Sequence, residues 1–420
     1  MTAFLDFFKK SLSSLSVIDT SEGRMKTAGI ILVIVLLVSL VVLPIVYFEQ
    51  NQGSNLSTEV YFGVTFGLNT TAEAKMLVDK VKNYTNLFVV DSFIIDTVNE
   101  TVNGTTLTDV CDYATSQGLN IIVYFAYISH QIYPWQIGWV ENAKTRYGNM
   151  LLGIYFYDEP GGKQIDLGNW SGNSTDSPGT VNFFENVTNY DEAADAYVRS
   201  LGSQQSMIDM KTLGIPAFTS DYALQWFDYS AGYNVVLTEL GGTNETLKIQ
   251  QISLCRGAAK VQDKQWGTII TWTSENPPYI ENGTALLQDL RMAYKAGAKY
   301  EVVFNHPVYP NDNPYGILSE EHFKAMKTFW TEIHTTHKSN FGTIEGQAAF
   351  VLPKNYGWGM RNSEDRIWGL WNSDNLSPLI WREKDRLIRI YGLDLDIIYN
   401  DTAFNFREKY STIYFWDTTK

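Results

Sequence analysis

From Thr58 onward, short runs rich in β-branched and aromatic residues alternate with longer stretches whose apolar positions recur every three to four residues. The first pattern marks buried strands and the second amphipathic helices. Strands are predicted at 59–67, 86–92, 119–128, 151–159, 215–221, 233–241, 266–273 and 300–306. Helices are predicted between and after them at 71–84, 107–117, 135–148, 191–213, 243–262, 283–297 and 319–336. Only 223–232, between the fifth and sixth strands, reads as too short for a full helix. Strands that are apolar nearly throughout need cover on both faces, which is the habit of parallel sheets. Eight of them before the pattern changes point to an α/β fold closed as a (β/α)₈ TIM barrel over 58–338. The alternative, an open doubly wound sheet, would carry a Gly-rich phosphate loop after an early strand, and the sequence has none.

After Lys338 a smaller unit is expected, with strands at 346–353, 393–401 and 410–416 and a helix at 377–392. Residues 339–420 then form a small, truncated flavodoxin-like α/β domain, too small to bury much alone and so packed on the barrel. Its aromatic loop 355–361 (NYGWGMR) fits packing against the barrel better than ligand binding.

Ahead of the barrel, residues 27–48 form an uncharged apolar run long enough to cross a bilayer as one helix. Lys9, Lys10, Arg24 and Lys26 precede it and Glu49 follows. The positive-inside rule places 1–26 in the cytoplasm and the rest outside. The run is too long for a cleaved signal peptide and lacks a small-residue cleavage site, so it reads as a single-pass signal anchor. Residues 49–57 are a short polar linker, and 1–26 carry apolar residues at helical spacing that fit an interfacial helix. Glycosylation sequons occur at Asn55, Asn69, Asn83, Asn99, Asn103, Asn169, Asn173, Asn186, Asn244, Asn282, Asn375 and Asn400, all beyond the span. Their one-sidedness supports the same orientation, with the bulk of the chain extracellular. Dense sequons on an uncleaved anchor suit an archaeal cell-surface glycoprotein.

Composition narrows the function. A net charge of −14 lacks the basic footprint of a nucleic-acid binder. Cys111 and Cys255 are the full cysteine set, each inside a predicted helix, and read as small buried hydrophobes rather than a disulfide. No metal motif or nucleophile elbow is present, and neither metal nor cofactor is expected.

In a barrel, chemistry sits at the C-terminal ends of the strands. Those ends carry Asp91, His130, Asp158, Glu159, Asp221, Glu239, Trp272, Glu275, Asn305 and His306. Asp158 and Glu159 are neighbours, so strand alternation would turn Asp158 to the opposite face in a structural role. Trp135, Trp139, Trp226, Trp272 and Tyr279 fall near the same rim, where flat rings suit sugar faces, although core packing explains any one of them as well. The segment 161–190 separates the fourth strand from its helix; a loop of that length at the mouth would act as a lid or a glycan-shielded flap.

The sequence Tyr157-Asp158-Glu159-Pro160 resembles the Asn-Glu-Pro ending of strand four in the clan A (β/α)₈ glycoside hydrolases, with Asp158 in place of the Asn. The resemblance implies Glu159 as acid/base. Thr238-Glu239-Leu240-Gly241 resembles the clan's nucleophile motif but falls on strand six, whereas Glu275 has the strand-seven position without the motif. Glu239 is favoured, because a Glu closing a buried strand is costly without a role. The implied function is a membrane-anchored extracellular hydrolase cleaving glycosidic bonds with this carboxylate pair. Asp91, Asp221, Trp272, Asn305 and His306 would then line the carbohydrate subsite. The alternative is a non-catalytic surface protein, a degenerate barrel that binds glycans or packs into a cell-surface assembly.

Overall fold

The computed structural model describes residues 60–68, 70–91, 104–125, 128, 135–168, 183–271, 273, 279–307 and 313–417. The predicted span 27–48, with 1–26 and 49–57, lies outside the described residues. Among the described residues no helix is long and apolar enough to cross a membrane.

Eight parallel strands close into a barrel: β1 (Tyr61–Phe66), β2 (Leu87–Asp91), β3 (Asn120–Phe125), β4 (Leu151–Phe156), β5 (Ala217–Asp221), β6 (Val235–Leu240), β7 (Gln265–Ile270) and β8 (Tyr300–Val303). Closure comes from β8 pairing with β1, Tyr300 opposite Tyr61 and Val302 opposite Gly63. Each falls inside its predicted run except β7, which starts one residue early at Gln265. The helices are α1 (Thr71–Val81), α2 (Thr105–Ser116), α3 (Trp135–Tyr147), α4 (Pro160–Leu167), α5 (Tyr190–Gly202), α6 (Gln205–Leu213), α7 (Gln225–Ala231), α8 (Glu245–Val261), α9 (Gly283–Ala296), α10 (Glu320–His334) and α11 (Ser377–Tyr391).

Three corrections concern helices. The predicted 191–213 is two helices, α5 and α6, broken around Ser203 and Gln204. The 223–232 stretch holds the two-turn α7, all but one of whose residues are buried. The long segment after β4 opens with α4 rather than a loop; Pro160 suits the first helical position, and packing offsets the low helix propensity of Gly161 and Gly162. Residues 169–182 of the supposed lid lie outside the described residues, including Asn169 and Asn173.

Alternation along the strands sorts side chains into two layers. Leu87, Val89, Ile122, Tyr155, Phe218, Val235, Leu237, Ile269, Tyr300 and Val302 fill the barrel interior. The opposite parity packs against the helices, whose buried faces include the free Cys111 of α2 and Cys255 of α8. Helix ends follow their caps: Thr70 and Glu73 close a capping box on α1, and Asn282 Oδ1 accepts from Thr284 N at 3.0 Å and Ala285 N at 3.1 Å on α9. Among the described sequons, Asn83, Asn186, Asn244, Asn282 and Asn375 are exposed and Asn400 is half-buried.

The C-terminal strands β9 (Ala348–Leu352), β10 (Leu395–Tyr399) and β11 (Thr412–Phe415) form a parallel sheet in the order β10-β9-β11, with α11 between β9 and β10. Barrel and tail form one compact unit from Val60 onward, not two separate bodies. Tyr356, Trp358 and Trp368 of the aromatic loop region are fully buried. The join is also ionic. Arg256 of α8 donates from Nε to Asp396 Oδ1 of β10 at 2.7 Å, from Nη1 to Ile344 O at 2.8 Å, and from Nη2 to Leu393 O and to Leu395 O, the latter at 3.2 Å. Tyr410 OH completes Asp396 at 3.0 Å. Removing one partner of such a buried pair strands the other charge. Arg256→Ala is expected to lower stability by about 3–5 kcal/mol in denaturant titration; a loss under about 1 kcal/mol would mean the join does not depend on this pair.

Candidate active site

The inward-facing positions climb each strand in steps of two, from an apolar floor to a polar mouth. Leu87 and Val89 lead to Asp91, Phe218 to Ser220, Val235 and Leu237 to Glu239, Ile269 to Thr271, and Val302 to Phe304 and His306. All these end points line one cavity of about 550 Å³ with Thr65, Phe66, Gly67, Tyr124, Tyr155, Asp158, Glu159 and Asn305.

On β4 the alternation slips. Tyr157 (φ 55°) and Glu159 (φ 52°) sit in the left-handed region, which costs a non-Gly residue energy and persists only where surroundings enforce it. The slip aims both Asp158 and Glu159 into the cavity, against the expectation that Asp158 would face away.

Asp221 explains the enforcement. It is fully buried and outside the cavity lining. Its carboxylate accepts from Gly161 N at 2.5 Å, Gly162 N at 2.8 Å, Tyr222 N at 2.8 Å and Ala223 N at 3.0 Å. It therefore fixes the turn from Glu159 into α4 and is not a subsite residue. A side chain on Gly161 would run into Ala223 O, and one on Gly162 into the Tyr222 ring, so both glycines are required by close approach.

The three mouth carboxyls are tied together. Tyr155 OH donates to Asp158 and lies 2.7 Å from Ser220 Oγ. Ser220 Oγ lies 3.1 Å from Asp158 Oδ1 and 2.9 Å from Glu239 Oε1. Glu159 and Glu239 both line the cavity and act on each other electrostatically, and a proton shared between them would join the two. Burial pushes Glu239 well above the usual carboxylate range, and the charges of Glu159, Asp158 and Asp221 add to the rise. Glu159 is also raised, first by burial and then by Asp158, but Lys163 and the hydrogen bond from Glu239 pull it back. Lys163 Nζ stands 3.7 Å from Glu159 Oε2 and 3.7 Å from Asp158 Oδ2. Burial, with Asp158 next, pushes Tyr155 well up, so it remains a donor.

On the opposite wall, Asn305 is anchored by its backbone N–H donating to Thr65 Oγ1 at 2.7 Å and its Oδ1 accepting from Ile317 N at 3.2 Å. Its buried Nδ2 has no partner. His306 Nδ1 lies 2.8 Å from Pro307 O, and its ring stacks on Phe304. The structure thus brings together Asp91, Glu159, Glu239, Asn305 and His306. Glu275, Trp272 and His130 lie outside the described residues. Of the described rim tryptophans, Trp139 and Trp226 are core and Trp135 is half-buried: Trp139 donates to Thr108 Oγ1 at 2.9 Å, Trp135 packs on Phe125, and Trp226 meets Tyr399 at a tilt and Phe404 of the tail edge-on. Tyr279 is half-buried against the core. The rings at the cavity are Phe66, Tyr124, Tyr155 and Phe304 instead. Tyr155, Ser220 and Lys163 were missed, although the parity of β4 and β5 marks the first two.

No protein-family model matches the chain, and no curated protein matches its sequence. Among solved structures, alpha-L-fucosidase isoenzyme 2 from Paenibacillus thiaminolyticus matches with a TM-score of 0.51 and 11% identity, over 84% of this chain and 60% of that one. The two chains share a fold. The chain spans only 60% of the fucosidase's length. Weaker likenesses are Clostridioides difficile cellulose synthase subunit Z (TM-score 0.39, 9% identity, 64% of this chain and 99% of that one) and Saccharomyces cerevisiae Gas2p (0.38, 8%, 66% and 62%). At such identities only the barrel architecture transfers.

Behind the site, Asp228 of α7 is fully buried, accepts from Tyr197 OH at 2.6 Å, and lies close enough to Asp221 for its charge to raise that carboxyl. Burial raises both carboxyls, Asp228 to about 8, so the pair holds a proton at neutral pH. That proton belongs on Asp228, because Asp221 already accepts four backbone N–H groups. An acid with a raised folded pKa contributes stability that is fully present below its unfolded value, about 3.9. That contribution is lost as pH rises through about 8. Asp228→Asn supplies a permanent donor to Asp221. Its melting temperature is expected to fall less than the wild type's between about pH 6 and 9; equal declines would place the proton elsewhere.

Proposed function

We propose that the protein is a glycoside hydrolase using Glu159 and Glu239 on a carbohydrate held in the barrel mouth. The observation that carries this is the carboxyl pair converging from the ends of β4 and β6 on one cavity walled by aromatic rings. Glycosidic cleavage needs one protonated and one ionised carboxyl on opposite sides of the bond.

The electrostatics favour roles opposite to those implied by the sequence resemblance. Glu239 is the more strongly raised and donates, so it is the acid that protonates the leaving oxygen. Glu159, facing Lys163, is the carboxylate. Glu159 forms a bond to the anomeric carbon as the bond to the leaving oxygen breaks and that oxygen takes the Glu239 proton. Water then attacks the same carbon, gives its proton to Glu239, and frees Glu159. A pair that starts in contact needs only a small swing to reach the ~5–5.5 Å of a retaining enzyme, and a larger one for the ~6.5–9.5 Å of an inverting enzyme. Retention is therefore the proposed outcome. Asn305 Nδ2 and Asp91 hold hydroxyls. The apolar run 27–48 and the exposed sequon asparagines support an anchored, glycosylated, extracellular setting.

A panel of aryl glycosides given to the full chain tests the reading. Glu159→Gln is expected to lose about 10²–10⁴-fold in turnover on every substrate. Glu239→Gln should lose as much on poor leaving groups and far less on dinitrophenyl glycosides, which need no acid. The reverse pattern would exchange the roles. Absence of turnover with glycan binding intact in wild type and both variants would make the chain a binding barrel. The rate should also fall as pH rises through the Glu239 pKa and as it falls through that of Glu159, giving a bell.

A further inference from the structure

The Glu159 backbone is held from both ends of α4, and the second grip comes from the tail. An eight-residue helix has no independent stability, so its place is set by what it packs against. Asp221 grips its first turn through Gly161 and Gly162. Its last turn is gripped by the segment leading from β9 to α11. Gln164 Nε2 donates to Trp368 O at 2.7 Å. Arg361 bridges Asp166 of α4, at 2.7 Å from Nη1, to Asp365, at 2.9 Å from Nη2. Tyr222 OH donates to the same Asp166 at 2.7 Å, with the Arg361 guanidinium over its ring. Gly369 (φ 68°) presses so close that a Cβ there would collide with Gln164 O. Trp368 is itself locked against Tyr197 and Phe227.

We propose that the tail segment 356–371 is a positioning element of the carboxyl site. It splints α4 so that Glu159 keeps its left-handed backbone and its contact with Glu239. This rests on the Glu159–Glu239 pair being the reactive centre, and it gives the C-terminal unit a function beyond packing. Arg361, Trp368 and Gly369 are positioning residues; they act through α4 and touch no substrate. A shift of about 1 Å at a reacting group is enough to cost up to a hundredfold in rate.

The test is a ¹³C-carboxyl titration of the full chain carrying labelled Glu, with the Glu159 signal assigned by its absence in Glu159→Gln. Arg361→Ala and Gly369→Ala are compared with the wild type and with Arg361→Lys. Both disruptive variants should stay folded while Glu159 and Glu239 move toward the ordinary Glu value of about 4.3. Arg361→Lys, which keeps the charge on Asp166, should restore most of the wild-type curve. On a hydrolysed glycoside, kcat should drop roughly 10- to 100-fold with KM little changed. Unchanged titration of both carboxyls in folded Arg361→Ala would overturn the proposal, and that variant alone decides if Gly369→Ala does not fold. The titration needs no turnover. A protein that hydrolyses nothing, yet whose Glu159 titration moves, would retain the splint and reject the hydrolase reading.

Discussion

The contact between Glu159 and Glu239 constrains everything around it. Burial and mutual charge push both carboxyls up, so a proton shared by the pair is the favoured arrangement, and placement decides which oxygen carries it. Glu239 closes a strand whose lower inward positions are Val235 and Leu237, with Ser220 beside its carboxyl. Glu159 stands at the lip facing Lys163. The same proton explains the hydroxyls between the carboxyls: Ser220 Oγ reaches both Asp158 and Glu239 and can donate to whichever is ionised, while Tyr155 OH ties Asp158 to Ser220.

Holding Glu159 there requires a backbone conformation that no strand supplies. The slip at Tyr157 and Glu159 is stabilised by a carboxylate accepting four N–H groups, by two glycines with no room for a side chain, and by the tail's grip on α4. Barrel and tail therefore form one unit for a reason beyond apolar burial. Arg256–Asp396 and Arg361–Asp166 tie them at two separated places, and the second lies on the element that carries Glu159.

Much of this was legible from parity. All eight strands fell on their predicted runs to within one residue, because apolar β-branched stretches between amphipathic helices leave few alternatives. Counting in steps of two from the apolar interior leads to Asp91, Ser220 and Glu239, and it places Asp221 outward, away from any subsite. The inward turn of Asp158 was not legible, since a positive φ at Tyr157 follows from tertiary hydrogen bonds and not from local propensity. Helix α4 was hidden for the same reason: two glycines in its first turn are poor helix formers, and they answer to Asp221 and Tyr222 about sixty residues later. Rim tryptophans misled because a large ring serves core and sugar alike, and only burial separates the two uses.

Neutron diffraction from deuterium-exchanged crystals of the full chain near neutral pH would locate the proton on which this account turns. The account predicts one deuteron on Glu239, directed at a bare Glu159 carboxylate. Two bare carboxylates turned apart, or a deuteron carried by Glu159, would contradict it.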